Sequence, residues 1–450
     1  MPRRPRAAGH CLEVDSPPQP SFRAASRVWW RIALASFGGP AGQIAVMHRV
    51  LVDEQRWLSE ARFLHALSYC TLLPGPEAQQ LATYGGWLLH GTRGGLVAGG
   101  LFVLPGFVAI LALSILYVTF GHTAWLTAAF AGLKPAVLAI VLEALGRVGR
   151  RALHDARQVA IAAGAFIGIF FFAVPFPAIV ALAALLGLLW LRSPASPAHG
   201  GDEGIMRIER PSAARTLGVA IAWTIAWMAP VGLLLATLGP SHVLTRQAVF
   251  FSKVATVTFG GAYAVLAYVA QQAVETFGWL KPGEMLDGLG MAETTPGPLI
   301  QVVQFVAFLG AHRDPAPFTP MTAAVLGSIV TTWVTYAPCF LWIFVGAPYV
   351  EALRRSRLVS RALAGIMAAV VGVILNLSVW FALHALFGRV DELEWGPLRL
   401  TLPEPGTLDV GALAIAIVAA LAIFRAHWSM ARTLALSVAL GLAWAVVRSA

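Results

Sequence analysis

The chain has 450 residues, of which 58% are hydrophobic and 12% charged, and its mean hydropathy is +0.72. Soluble domains carry about 25% charged residues, so this composition excludes an ordinary water-soluble globule. The formal net charge is +10, but the arginines cluster between apolar segments, as in cytoplasmic loops and unlike a nucleic-acid surface. The composition predicts an all-α polytopic protein whose surroundings are the lipid bilayer and which binds no nucleic acid.

The N-terminal segment, 1–27, is polar and rich in arginine and proline and has no apolar core. It is therefore unlike a secretory signal, and we expect a disordered cytoplasmic tail. Cys11, Cys70 and Cys339 are scattered without the spacing of a disulfide framework or a zinc site. Because nucleotide-binding, hydrolase and metal-ligand motifs are absent from the sequence, we predict no cofactor, no metal site and no catalytic residues.

The first half of the membrane part, 28–192, contains apolar segments long enough to cross about 30 Å of hydrocarbon. Two of its segments are interrupted, at Phe37–Gln43 with the sequence FGGPAGQ and at Pro74–Pro76 with the sequence PGP. Proline removes an amide donor and glycine weakens a helix, so we expect helix ends at both places. We predict that 28–192 forms a transporter repeat with broken or re-entrant helices.

A polar stretch at 193–214, rich in Pro, Gly, Ser and charge, divides the chain and is predicted to be a linker. An apolar segment at 215–240 follows, and we expect it to form a single linking transmembrane helix. The remainder, 241–450, is predicted to be a second transporter repeat. In total we expect about 13 transmembrane segments, arranged as roughly six, one and six.

Short motifs recur along the chain at a constant spacing of 222 residues. The recurring positions are Phe37–Gly39 with Phe259–Gly261, Trp57 with Trp279, Pro74–Pro76 with Pro296–Pro298, and Gln79 with Gln301. A constant offset of this kind indicates an internal duplication. Further along, the register shifts by about 11 residues, which pairs Pro105 with Pro338 and 130–146 with 363–379.

The positions of the basic loops predict that the two halves are inverted relative to each other. Arg147, Arg150 and Arg151 follow the segment 130–146, whereas the cluster Arg354–Arg361 precedes the matching segment. If both clusters are cytoplasmic, the matched helices cross the membrane in opposite directions. We therefore expect a cytoplasmic N-terminus and a periplasmic C-terminus, with an acidic loop around Glu392 outside.

Transporters with inverted repeats place their sites where broken helices meet near the membrane midplane. A helix that begins inside the membrane presents unpaired N–H groups and the positive end of its dipole, which together favour an anion. The predicted substrate-binding residues are Gly38, Gly39, Pro40, Gln43, Pro74, Gly75, Pro76, Gln79, Lys253, Gly260, Gly261, Pro296, Gly297, Pro298 and Gln301. The alternative is that these breaks only allow helices to pack closely.

Ionisable residues within apolar segments are the other candidates. Arg31 and Lys253 occupy matched positions ahead of the two FGG motifs; Lys253 is the stronger anion-binding candidate, because Arg31 also fits a cytoplasmic topology signal. Asp53 and Glu275 are matched carboxylates and the candidates for proton coupling, although the sequence slightly favours caps or salt bridges at the membrane interface. Lys134 is a third candidate cation, and the remaining, weaker candidates are Glu143 and Glu293.

Several segments resemble the motifs of the chromate ion transporter family in its long, two-domain form. They are SFGGPAGQIAVMHR, WLSEARFLHALSYCTLLPGPEAQQLATYGG, GLFVLPGF, TFGGAYAVLAYVAQQAVETFGWL and TTPGPLIQVVQFVAFLG. The likeness extends over about residues 28–390. Glu77 departs from it, because a small or hydroxyl residue is expected after Pro76.

The resemblance implies a secondary active transporter that exports chromate across the bacterial inner membrane and confers chromate resistance. Its partner would be chromate or a sulfate-like tetrahedral oxyanion, and the transporter could act as a homodimer. From the residues themselves, a sulfate or other oxyanion carrier and a non-saturable anion channel remain alternatives.

Overall fold

The computed structural model describes residues 20–37, 39–121, 123–191, 212–259, 261–281, 283–349 and 356–449. Gly38 and Gly260, both predicted site residues, lie outside the described residues, as does most of the predicted linker. The described part is helical except for one β-hairpin, short turns and connecting segments.

The first half forms seven α-helices. They are α1 (Phe22–Ala35), α2 (Gly39–His48), α3 (Glu60–Cys70), α4 (Glu77–Phe120), α5 (Ala124–Ala152), α6 (Ala156–Phe172) and α7 (Phe176–Trp190). Helix α4 has non-helical backbone angles at His90 and Gly91, so it consists of a short arm, 77–89, followed by a long helix, 92–120.

The predicted end of the disordered tail, at residue 27, is wrong, because α1 begins at Phe22. The Ser21 hydroxyl accepts a hydrogen bond from the N–H of Ala24 at 3.3 Å. This side-chain cap satisfies one of the free donors of the first turn and so fixes the start of the helix.

The second half begins with the linking helix α8 (Ala213–Leu238) and then repeats the order of the first. Its helices are α9 (Val243–Val257), α10 (Ala262–Gln271), α11 (Glu284–Thr294), α12 (Val302–Arg313), α13 (Pro320–Gly346), α14 (Arg357–Leu386), α15 (Val410–Phe424) and α16 (Met430–Ser449). A 3₁₀ turn, Leu299–Gln301, opens α12. Short π-helical turns follow both α2 and α10, at Arg49–Glu54 and Gln272–Thr276.

Six of the described helices are long and apolar enough to cross a membrane. These are α4, α5, α8, α13, α14 and α16 up to Val447, and four shorter apolar helices accompany them. The chain is therefore a polytopic membrane protein. The total of about 13 transmembrane segments stays a prediction, because the short helices cross only if they act as halves of broken spans.

The acidic segment expected to be an outside loop is a β-hairpin, which is an exception to the predicted all-α fold. Strands β1 (Val390–Trp395) and β2 (Leu398–Pro403) are antiparallel. The turn between them contains Gly396 at a φ of +62°, a conformation that favours glycine and closes tight hairpins.

The two halves exchange their last pair of helices. Helix α5 of the first half packs against α15 and α16 of the second, and α14 of the second half packs against α6 and α7 of the first. Helices α5 and α14 also contact each other. Each half therefore needs the other to bury the helices in these contacts.

Close glycine contacts at these exchanged interfaces are symmetric. The Cα of Gly441 on α16 lies 3.0 Å from where a Cβ on Gly132 of α5 would be, and the Cα of Gly187 on α7 lies 2.8 Å from where a Cβ on Gly365 of α14 would be. Small residues at helix crossings allow membrane helices to approach this closely. The reciprocal pattern is that of an isologous, two-fold contact between the halves.

Gly132→Ala is expected to destabilise the protein, because the added methyl group would overlap the backbone carbonyl oxygen of Ser437. Overpacking of this kind costs about 1–3 kcal/mol, so the thermal midpoint in detergent should fall by several degrees. Gly164→Ala on α6 is the matched control, because nothing lies within 4 Å of its added methyl group. Equal midpoints for the two variants would contradict the close crossing of α5 and α16.

Candidate anion-binding site

The first pair of helices is interrupted at the FGG motif of each half, as the sequence predicts. Helix α1 ends at Ala35 and α2 begins at Gly39, whose φ is +75°. In the second half Gly261 has a φ of +97° immediately before α10. These positive φ values favour glycine, and Pro40 lies in the first turn of α2, where its missing N–H costs no helical hydrogen bond.

The two PGP motifs form turns that lead into helix starts. Gly75 and Gly297 have φ values of +125° and +100°. Pro76 is the N-cap residue of the α4 arm and Pro298 that of the 3₁₀ turn that opens α12. As predicted, a helix begins directly after each motif.

Each PGP turn is hydrogen-bonded to the FGG break of the opposite half. The N–H of Gly75 donates to the carbonyl of Thr258 at 2.7 Å, and the N–H of Gly297 donates to the carbonyl of Ser36 at 2.9 Å. Donors and acceptors in the two bonds are related by the 222-residue offset found in the sequence. Gln43, which is 1% exposed, adds a hydrogen bond from its Nε2 to the carbonyl of Gly297 at 2.6 Å.

The long helices α4 and α13 pack tightly against these turns. A Cβ on Gly297 would lie 3.1 Å from the Cα of Gly106 on α4, and a Cβ on Gly75 would lie 2.8 Å from Sγ of Cys339 on α13. Glycine is therefore required at both turns by backbone conformation and by space. The four breaks form two equivalent clusters, each built from both halves.

Three of the helix starts at these breaks carry no side-chain cap, and the residue before the fourth, Gly38, lies outside the described residues. Pro76, Pro298 and Gly261 make no side-chain hydrogen bond to the first turns that they precede. Eight described helices elsewhere do begin with such a cap: α1, α3, α6, α8, α9, α13, α14 and α15. Three further helices, none of which follows a break, also begin without one. The first-turn N–H groups after Pro76, Pro298 and Gly261 therefore have no side-chain acceptor from these residues, which suits an anion at the helix start.

Gln79 and Gln301 are both buried in the first turns after the PGP motifs, at 0% and 2% exposure. Their NH₂ groups already have partners: that of Gln79 donates to Thr83 Oγ1 at 3.0 Å, and that of Gln301 donates to Thr332 Oγ1 at 3.1 Å. Their Oε1 atoms have no hydrogen-bond partner among the described residues. Gln301 also donates to Gln304 Oε1 at 2.5 Å, so donation to an anion requires it to exchange a partner, whereas Gln79 has a second N–H beyond the one that it donates to Thr83.

Four of the charged residues predicted from the sequence, Arg31, Lys253, Asp53 and Glu275, lie on exposed surfaces. Lys253 is exposed on α9, and Arg31 pairs with Glu54 at 2.5 Å. Asp53 is 59% exposed and lies 3.5 Å from His48 Nδ1, and Glu275 is exposed at the rim of a cavity beneath the β-hairpin. Among the described residues, the structure thus joins the predicted breaks in pairs through Gly75, Gly297 and Gln43, and it places these charged side chains at the surface instead.

One buried ion pair includes a residue that the sequence reasoning missed. Asp287 on α11 has a side chain 3% exposed, and its Oδ2 lies 3.4 Å from Nζ of Lys134 on α5. The Tyr117 hydroxyl donates to the same oxygen at 3.0 Å. The sequence feature that could have identified Asp287 is the presence of a carboxylate in the segment before the second PGP motif. Its register partner in the first half is His65, so the duplication did not draw attention to it.

The family model described as "Chromate transporter" matches residues 24–188 and 245–444. A chromate transport protein of Pseudomonas aeruginosa is 33% identical over 384 residues, which covers 82% of this chain and 83% of that protein. A chromate transport protein of Cupriavidus metallidurans is 26% identical, covering 83% of this chain and 86% of the relative.

A probable chromate transport protein of Synechococcus elongatus is also 26% identical, covering 88% of this chain and 95% of the relative. No solved structure matches the chain significantly. The family model covers the helices and breaks of both halves, and the relatives align over most of their length. The chain therefore belongs to the chromate transporter family, which comprises membrane transporters and not enzymes.

Proposed function

We propose that the protein is a secondary active transporter that exports chromate across a bacterial inner membrane. The observation that carries this proposal is the pair of reciprocal hydrogen bonds, Gly75 to Thr258 and Gly297 to Ser36, which assembles uncapped helix starts from both halves. The names of the relatives, which describe chromate transport, supply the anion.

The chemistry of the breaks suits a compact tetrahedral dianion. Backbone N–H groups at a helix start bind anions without any charged side chain, since the helix dipole adds a positive partial charge. A dianion is released more readily from such a site than from one built on buried arginines or lysines, because no unpaired buried cation is left behind. A site that must load and unload in every cycle benefits from this difference.

The proposal includes inverted halves with about 13 transmembrane segments, the N-terminus in the cytoplasm and the C-terminus in the periplasm. The reciprocal glycine contacts between the halves support a two-fold relation. Basic residues lie at the end of α5 but at the start of α14, so the two matched helices cross the membrane in opposite directions if both basic ends are cytoplasmic. This supports a two-fold axis that lies in the membrane plane. A reporter fused to the C-terminus tests this directly. Activity in the periplasm is expected, and activity only in the cytoplasm contradicts the inverted arrangement.

The transport proposal is tested by uptake of labelled chromate into inverted membrane vesicles that contain the protein. We expect saturable uptake that a protonophore abolishes and that vesicles without the protein lack. Unlabelled sulfate distinguishes the alternatives: complete competition at low concentration would favour a general oxyanion carrier. Uptake that never saturates would indicate a channel, and no uptake at all would overturn the proposal.

Gln301→Ala is expected to lower chromate uptake by about tenfold with a normal amount of protein in the membrane. The loss of one hydrogen bond to a charged ligand corresponds to about 1.5–3 kcal/mol, which is tenfold or more. Initial rates in the same vesicles check this. Lys253→Ala is the companion variant, and a smaller effect is expected because that side chain is exposed. Unchanged uptake by Gln301→Ala would remove this amide from the site.

A further inference from the structure

A buried carboxylate connects the two breaks of the second half. Glu293 lies in the last turn of α11, three residues before Pro296, and is 1% exposed. The hydroxyl of Tyr263, in the first turn of α10 and two residues after Gly261, donates a hydrogen bond to Glu293 Oε1. The carboxyl group therefore lies between the FGG break and the PGP turn, beside the proposed anion site.

The second oxygen of this carboxyl group, Oε2, is buried and has no hydrogen-bond partner among the described residues. The titratable groups that act on Glu293 are Tyr263 on α10 and the pair Arg147 and Glu143 on α5. Arg147 already forms an ion pair with Glu143 on its own helix. Its charge is therefore shared, and Glu293 is left without a counter-ion of its own.

A buried carboxylate with an unpaired oxygen is costly while ionised, and protonation removes that cost. A dianion held at the neighbouring helix starts raises the cost further, because two like charges then face each other in a medium of low dielectric. Ionised Glu293 and a bound oxyanion therefore disfavour each other. Protonated Glu293 tolerates the anion, and its O–H becomes a possible donor in place of a negative charge.

We propose that Glu293 is the proton-binding residue coupled to the substrate, and that the site takes its oxyanion only when Glu293 is protonated. This inference rests on the proposed transport of chromate. The ionised protein, one proton and one dianion combine to give the protonated complex, so each anion binds together with one proton. The transported unit then carries one negative charge instead of two. Asp53 and Glu275, which the sequence favoured for this role, are exposed and lack this position.

The test is equilibrium binding of chromate to the purified full-length protein between about pH 6 and pH 9. Wild-type affinity is expected to fall by about tenfold per pH unit at the alkaline end, as linkage to one proton requires. Glu293→Gln, which mimics the protonated acid, should bind chromate with little dependence on pH. Protonation of chromate itself affects the binding to both proteins equally, so comparing the two proteins at each pH removes its contribution. Glu60→Gln, at an exposed carboxylate, is the matched control and should keep the wild-type slope.

Proton uptake on adding chromate, measured with an indicator dye in weak buffer, should be about one per anion greater in wild type than in Glu293→Gln. A wild-type slope in Glu293→Gln, or a slope lost in Glu275→Gln, would overturn the assignment. Binding without any pH dependence in wild type would overturn the inference and leave the proposed function standing. Wild-type protein that binds no chromate would overturn both.

Tyr263→Phe keeps the test decisive if Glu293→Gln does not fold. The tyrosine hydroxyl stabilises the ionised carboxylate, so its removal favours the protonated form. The pH at which chromate affinity begins to fall should therefore move upward. An unchanged or lower midpoint in this variant would contradict the role of Glu293.

Discussion

Gly75→Ala and Gly297→Ala are each expected to reduce chromate transport at least about tenfold, which is the largest functional effect we predict for a single methyl group. Left-handed backbone costs a residue with a Cβ roughly 1–2 kcal/mol of stability wherever it occurs, whereas the loss of a bridging hydrogen bond, about 1.5 kcal/mol or tenfold, is specific to these two turns. The added Cβ would also lie 2.8 Å from Cys339 Sγ at Gly75 and 3.1 Å from Gly106 Cα at Gly297. Relief of either contact moves the N–H group that bridges the two halves.

Gly239→Ala is the matched control for these two variants. Gly239 follows α8, has a φ of +82° and has nothing within 4 Å of an added methyl group, so it carries the backbone strain without the packing. Initial rates of chromate uptake, normalised to protein in the membrane, provide the measurement. The control should stay within about twofold of wild type. Equal losses in all three variants would mean that backbone strain alone, and not the shape of the PGP turns, determines the result.

Lys134→Met is expected to cause the largest loss of stability from a single charge change. Removing one partner of a buried ion pair costs about 3–5 kcal/mol, because the other charge stays buried and unpaired. Asp287 would keep only the hydroxyl of Tyr117, at 3.0 Å. The double variant Lys134→Met/Asp287→Leu should recover most of the stability, because no buried charge then remains. The thermal midpoint of the purified protein in detergent measures both effects.

An exposed ion pair provides the control for the Lys134 and Asp287 variants. Arg389 and Glu404, which are 72% and 45% exposed, lie beside the β-hairpin at 3.5 Å. Exposed pairs contribute about 0–1 kcal/mol, so Arg389→Ala should leave the midpoint nearly unchanged. A double variant no more stable than Lys134→Met would show that the pair is not the reason for the loss.

Local features of the fold were predictable because glycine and proline act through their own backbone. The 222-residue register, the two FGG breaks and the two PGP turns each depend on a few neighbouring residues, and the helix ends at Ala35 and Thr294 agree with them. The end of the tail was misplaced because a single serine cap, Ser21, outweighs a polar composition. The hairpin after α14 was missed because the acidic composition of β1 was interpreted as that of an outside loop.

Long-range pairing was not predictable from one sequence. The exchange of helix pairs between the halves depends on which apolar faces meet, and Gly132 opposite Gly441 is not visible in the local pattern. Charged side chains were the weakest predictions for the same reason. The matched spacing of the two halves predicted functional roles for Lys253 and Glu275, which are exposed in the structure. Asp287 and Glu293 are buried instead. Burial of a particular side chain is decided by tertiary packing, which the spacing of residues does not reveal.

The most direct test of the central claim is the stoichiometry of chromate bound to the purified protein. We propose that the two equivalent clusters hold one anion between them, so wild type should bind one anion per chain, and Gly75→Ala and Gly297→Ala should each lose that binding. Gly239→Ala should retain it. Two anions per chain in wild type, or either turn variant binding with wild-type affinity, would contradict a single site shared by the two halves.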